Sequence, residues 1–201
     1  MKAKICGLQT KEQVDTAVKN GADYLGFVFA ESKRKISPDL VREITKDVPK
    51  TVKKVGVMVA PNYQEAEEII QQAKLDMIQI HGMMATEHYS VPVIQAITVN
   101  SDEHIKMIQA VTTNYLLFDA PPQKFVGGNG QVFDWKKLDL DQLIDKKIII
   151  AGGLTIENVQ EAKERFSPYA VDVSSGVETN GVKDLKKIRA FLKKAKEEYD
   201  V

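Results

Sequence analysis

The sequence contains a single cysteine, Cys6, among 201 residues. No disulfide can form within the chain, and a reducing compartment is the expected setting. Charge of either sign is not in excess: 28 basic and 28 acidic side chains cancel. Nothing therefore steers the protein toward nucleic acid or an anionic membrane. No apolar run approaches the ~20 residues of a membrane span, and the opening MKAKICGLQT lacks the apolar stretch of a signal peptide. A soluble cytoplasmic protein is expected. His81, His88 and His104 have no second histidine or cysteine at metal-ligand spacing, so no metal site is expected. There is no GxxxxGK[ST], and no GxGxxG follows the first strand, which disfavours nucleotide binding and leaves no cofactor to expect. No linker, low-complexity stretch or charge block interrupts the chain, so residues 1–201 are expected to form one domain.

What the sequence has is alternation. Short β-branched or aromatic runs predict strands at Ala3–Cys6, Tyr24–Phe29, Lys54–Val59, Met77–Ile80, Val93–Ile97, Tyr115–Phe118, Lys147–Ile150 and Ala170–Val173. Amphipathic stretches with start signals lie between them. Thr10 with Gln13 forms a capping box, Ser37 precedes Pro38 at a helix start, and Asn62 precedes Glu65. Ser101, Asp134 and Thr155 open the stretches holding Ile105 and Ile108, Leu138, and Val159 and Ala162. The fourth strand has only Ala85–Tyr89 after it, enough for one helical turn. A lysine-rich tail (Lys183, Lys186, Lys187, Lys193, Lys194, Lys196) is expected to be the wet face of a last helix, with Leu185, Ile188 and Leu192 on its dry side. Eight strand–helix units predict a closed (β/α)₈ TIM barrel; an open doubly wound sheet usually has five or six strands.

In a barrel the active site sits at the C-terminal ends of the strands. The chain puts its chemically unusual residues there: Cys6-Gly7, Ser32-Lys33-Arg34, His81-Gly82, Asp119, Gly152-Gly153 and Ser174-Ser175-Gly176. The loops after strands seven and eight are the ones that bind phosphate in many barrels, through backbone N–H groups that glycine lets come close. Cys6 is either a small buried hydrophobe or a base whose thiol is activated by a cation or a helix end. Asp119 is either a helix or turn cap, or a catalytic group. After it comes a long segment with Pro121-Pro122 and Gly127-Gly128-Asn129-Gly130, a plausible lid. Arg34 is either a surface cation or a two-pronged carboxylate ligand, and His81 either a core histidine or a substrate contact. Asp172 interrupts an apolar strand, and a buried carboxylate there needs donors, which the loop amides can supply.

Lys4-Ile5-Cys6-Gly7-Leu8, Gly26-Phe27-Val28-Phe29 with Ser32-Lys33-Arg34, Gln79-Ile80-His81-Gly82, Leu117-Phe118-Asp119, Phe133-Asp134-Trp135, Gly152-Gly153-Leu154 and Val171-Asp172-Val173-Ser174-Ser175-Gly176 together resemble the phosphoribosylanthranilate isomerase family, in order and over the whole chain. The resemblance implies an Amadori rearrangement of a phosphoribosyl amine in tryptophan biosynthesis. It implies Cys6 as general base, Asp119 as general acid and Arg34 as ligand of the anthranilate carboxylate. His81 and Asp172 would be further substrate contacts, and Gly152, Gly153, Ser174, Ser175 and Gly176 would hold the phosphate. It also implies a monomer. The lid departs from the family: Gly128-Asn129-Gly130-Gln131-Val132 stands where relatives often have a hydroxyl and a lysine. Two alternatives keep the phosphate loops. Another sugar-phosphate isomerase or epimerase would not require Cys6 and Asp119 together, and a non-catalytic sensor barrel would bind without turnover.

Overall fold

Strands rich in valine, isoleucine and leucine have no polar face to give to water, and a barrel jacketed by helices buries both of their faces. The computed structural model describes residues 1–98, 108, 111–119, 143 and 145–197. In it β1 (Lys2–Cys6), β2 (Tyr24–Val28), β3 (Lys53–Val59), β4 (Met77–His81), β5 (Val93–Thr98), β6 (Tyr115–Asp119), β7 (Lys147–Ala151) and β8 (Ala170–Val173) pair in parallel, each with the next. β8 pairs back onto β1, with Lys4 opposite Asp172, and closes the barrel. Each strand begins and ends within one residue of its sequence expectation.

The described helices are α1 (Lys11–Lys19), α2 (Pro38–Ile44), α3 (Tyr63–Ala73), α4 (Val159–Phe166) and α5 (Leu185–Lys196). Side-chain oxygens of Thr10, Ser37 and Asn62 accept from backbone N–H groups three residues on and start α1, α2 and α3 as expected. The Thr10–Gln13 box needs correction: the Gln13 amide oxygen accepts from the Gln9 N–H at 2.8 Å, one residue earlier than a capping box requires. Thr155 opens α4 through a turn, its hydroxyl accepting from the Glu157 N–H. A two-stranded hairpin, β9 (Glu178–Thr179) with β10 (Val182–Lys183), separates β8 from α5.

Two further expectations are corrected. Residues 85–89 form no helical turn. The Gln95 side chain instead pins the start of this segment, accepting from the Ala85 N–H (2.8 Å) and donating to the Met83 carbonyl (2.9 Å). Lys183 is not on the wet face of the last helix. It lies on β10 with its side chain buried against Ser174 and Glu178. The helices expected after Ser101 and Asp134, and the lid at 127–130, lie outside the described residues.

Alternating inward residues (Tyr24, Val55, Met77, Ile94, Leu117, Ile149, Ala170) fill the barrel. Outward ones such as Ile5, Phe27, Ile78 and Val173 meet Val14, Val41, Ile70, Ile188 and Leu192 of the helices. Tyr24 and Tyr169 share a hydroxyl contact of 3.1 Å, and the Lys2 ammonium lies over both rings. Among the described residues, no helix is long and apolar enough to cross a membrane.

Candidate active site

A cleft of about 360 Å³ opens at the C-terminal ends of the strands. Cys6, Arg34, His81, Asp119, Gly152, Gly153, Asp172, Ser174 and Ser175 all line it. Gly176 does not. It packs beneath, and a Cβ there would fall 1.9 Å from the Leu154 carbonyl oxygen. Its place is to let the β8 loop lie against the β7 loop.

Cys6 and Asp119, at the ends of β1 and β6, face this one cleft. Burial raises the pKa of each, and Asp172 nearby raises Asp119 further, so the Asp119 carboxyl gives up its proton at a higher pH than an ordinary aspartate. A group of this kind can deliver a proton at a pH where an ordinary aspartate has none to give.

Beneath the cleft lies a network that the sequence did not announce. The Lys4 side chain is fully buried, and its Nζ donates to Asp172 Oδ2 (2.8 Å) and Gln79 Oε1 (2.9 Å). Lysine can only donate, so Gln79 must present its carbonyl oxygen to Lys4 and its NH₂ to His81 Nε2, 2.7 Å away. His81 Nε2 therefore accepts, and the neutral ring carries its proton on Nδ1. Burial, with the Lys4 charge, lowers the His81 pKa and keeps the ring neutral. The loop amides expected to satisfy Asp172 are replaced by Lys4, and Asp172 Oδ1 has no hydrogen-bond partner among the described residues.

At the rim, Arg34 Nε and Nη2 donate to the two oxygens of Glu178 at 2.6 and 3.0 Å. Lys183 donates to Glu178 Oε1 (2.6 Å) and to the Ser174 carbonyl (2.9 Å), and Lys33 reaches Glu178 Oε2 at 3.2 Å. Burial alone would raise the Glu178 carboxyl, but hydrogen bonds from Arg34 and Lys183 prevail and hold it at about 2. The Arg34 methylenes rest on Gly7, where a Cβ would come within 2.6 Å of Arg34 Cδ. Gly152 and Gly153, at φ +83° and +63°, turn the chain from β7 toward α4 in a conformation that L side chains rarely adopt. Ser174 donates its hydroxyl to the Cys6 carbonyl at 3.1 Å, tying the β8 loop to the base of the Cys6 turn.

A sequence profile of N-(5'-phosphoribosyl)anthranilate (PRA) isomerase matches residues 3–194. The chain belongs to this family. It is 47% identical to the N-(5'-phosphoribosyl)anthranilate isomerase of Listeria innocua over 199 residues, 98% of each chain. It is 50% identical to that of Streptococcus pneumoniae over 198 residues, 97% of this chain and 96% of the relative. The crystal structure of the Thermotoga maritima phosphoribosyl anthranilate isomerase superposes with a TM-score of 0.82 at 34% identity, over 98% of both chains. A phosphoribosyl anthranilate isomerase solved with reduced 1-(o-carboxyphenylamino)-1-deoxyribulose 5-phosphate gives a TM-score of 0.80 at 32% identity, again over 98% of both. The protein is an isomerase of tryptophan biosynthesis, built as a TIM barrel. The Thermotoga enzyme is described as dimeric.

Sequence reasoning missed Lys4, Gln79, Glu178 and Lys183 as parts of the site. One signal was available for Lys4: the Asp172 carboxylate demanded a buried donor, and Lys4 lies an even number of residues from Cys6 on the same strand.

Proposed function

We propose that the cleft converts N-(5-phosphoribosyl)anthranilate into 1-(2-carboxyphenylamino)-1-deoxyribulose 5-phosphate by an Amadori rearrangement, with Asp119 as general acid and Cys6 as general base. The observation that carries this assignment is that a carboxyl made proton-rich by burial and a thiol face the same cleft from β6 and β1. Asp119 donates its proton to the furanose ring oxygen as the bond from that oxygen to the anomeric carbon breaks, giving the open-chain Schiff base. Cys6, as the thiolate, takes the proton from the adjacent sugar carbon. The electron pair moves into the new carbon–carbon double bond and neutralises the iminium, and the resulting enolamine tautomerises to the ketone. Neither step needs a metal or redox partner.

The remaining assignments follow from chemistry. Arg34 has five N–H donors in a planar fork, of which Glu178 takes two and fixes the plane. The rest of the fork is assigned to the anthranilate carboxylate. His81, neutral and carrying its proton on Nδ1, and the unpartnered Oδ1 of Asp172 are assigned to polar groups of the substrate. Backbone N–H groups around Gly152, Gly153 and Gly176 and the hydroxyls of Ser174 and Ser175 are assigned to the phosphate, as glycine-rich loops after strands seven and eight suit.

The test is a fluorescence assay of the purified protein with phosphoribosylanthranilate generated in situ. Loss of the anthranilate-type signal is expected with wild type. Asp119→Asn and Cys6→Ala are each expected to lower turnover by about two orders of magnitude or more, the range of a positioned acid or base. Wild-type turnover in either folded variant removes that residue from its role.

A further inference from the structure

Lys4 is a costly residue to have where it is. An ion pair inside a barrel is weak evidence for stability, since desolvating both charges cancels much of their attraction. The contacts of Lys4 suggest another use. β1 alternates, so Lys4 and Cys6 point to the same side, one layer apart. Of the three N–H groups of the ammonium, one goes to Asp172 and one to Gln79. The third has no acceptor among the described residues, and the charge of the ammonium favours a thiolate at Cys6, on the same side of the strand. On β2 the sulfur is pressed against bare backbone: a Cβ at Gly26 would stand 2.9 Å from both Cα and Sγ of Cys6. The thiol cannot swing away from Lys4 across β2.

We propose that Lys4 is a positioning residue for the isomerisation: its buried ammonium, one layer away on the same face of β1, offsets part of the burial cost of the Cys6 thiolate, the form that accepts the proton. This rests on Cys6 being the general base. The charged groups around Cys6 single out Lys4. From β8, Asp172 opposes the anion. From β10, Lys183 also favours it, but more weakly than Lys4. Arg34, after β2, is clamped by Glu178. His81 of β4 is neutral, and Asp119 of β6, protonated or ionised, adds no positive charge that would favour the anion. Burial drives the thiol toward its neutral form, and Lys4 is the strongest influence in the other direction.

Because Cys6 is the single cysteine of the chain, its ionisation can be read without interference. Ultraviolet thiolate absorbance and the pH dependence of iodoacetamide alkylation are measured for wild type, Lys4→Met, Asp172→Asn and the double variant Lys4→Met/Asp172→Asn, with circular dichroism as the check on folding. The double variant avoids leaving Asp172 as a lone buried charge, the condition most apt to unfold the single one. Alkylation at neutral pH is expected to slow by about tenfold or more as the thiolate fraction falls, in Lys4→Met relative to wild type and in the double variant relative to Asp172→Asn. In Lys4→Met the acid limb of the kcat/KM profile is expected to move to higher pH by the same amount, with KM little changed; the double variant is read by its thiol alone, because Asp172 is assigned to the substrate. A folded double variant whose thiol titrates as that of Asp172→Asn overturns the proposal, even if Cys6→Ala abolishes turnover. Wild-type turnover in Cys6→Ala overturns the base assignment and, with it, any catalytic consequence of the Lys4–Cys6 contact.

Discussion

Glu178 is a carboxylate surrounded by three cations, Lys33, Arg34 and Lys183, and the arrangement decides what Arg34 can do. A guanidinium held along one edge keeps its plane, so a carboxylate arriving at the cleft meets donors already oriented. Arg34→Ala is expected to raise KM by roughly tenfold to a hundredfold, the equivalent of one or two charge-assisted hydrogen bonds, with kcat changed only a few-fold. Glu178→Gln is expected to move KM in the same direction by less, since it loosens the fork without removing it. Steady-state kinetics of both variants check this, and unchanged KM in Arg34→Ala would return that side chain to the solvated rim. Arg34, Cys6 and Asp119 were legible in the sequence because barrel strands end at the site, and each stands at or just after such an end. Lys4 and Gln79 were not. A lysine within an apolar strand carries no local mark of burial, and its partner Asp172 is 168 residues away. Glu178 was hidden for a related reason: its role exists only once the β2 loop and the β9 hairpin lie side by side.

The strands were readable because burial on both faces leaves an unbroken apolar run, and caps such as Ser37 and Asn62 act on the next three residues alone. The segment between β4 and β5 was not, since Gln95, on the following strand, pins its start. Between elements the tightest approach in the site is that of the β7 and β8 loops at Gly176. A methyl group there would sit 1.9 Å from the Leu154 oxygen, and the neighbour is backbone, which cannot rotate aside. Gly176→Ala is therefore expected to destabilise the fold by about 1–3 kcal/mol, as overpacking does. It also pushes apart the two loops assigned to the phosphate, so KM should rise as well. A thermal melt reads the first effect and steady-state kinetics the second. A melt at the wild-type temperature would mean that the loops can part without cost. A lower melt with unchanged KM would separate the packing of Gly176 from phosphate binding.

Across the whole molecule, two carboxyls of the site shift stability in opposite directions. The Glu178 carboxyl, at about 2 in the folded state, lies below the 4.5 of a free glutamate. Its contribution is complete above pH 4.5 and is lost as pH falls from there toward 2. The loss is not local, because Glu178 joins the β2 loop to the hairpin 144 residues later, near where β8 meets β1 and the barrel closes. Asp119 is raised instead, so folding favours its protonated form, and its effect on stability is lost as pH rises through its folded-state value. At neutral pH an ionised Asp119 in the cleft is a cost that the fold carries for chemistry. Urea midpoints measured from neutral pH down to about pH 3 are expected to fall less steeply in Glu178→Gln than in wild type. Asp119→Asn is expected to match or exceed wild type near neutrality while being nearly inactive. A Glu178→Gln curve parallel to wild type would show that the three cations do not stabilise the folded protein through that carboxylate. An Asp119→Asn protein less stable than wild type at neutral pH would mean that the ionised carboxylate is held by favourable contacts. A carboxylate so held would sit at a lower pKa, and Asp119 would then be poorly suited to donate the proton that opens the ring.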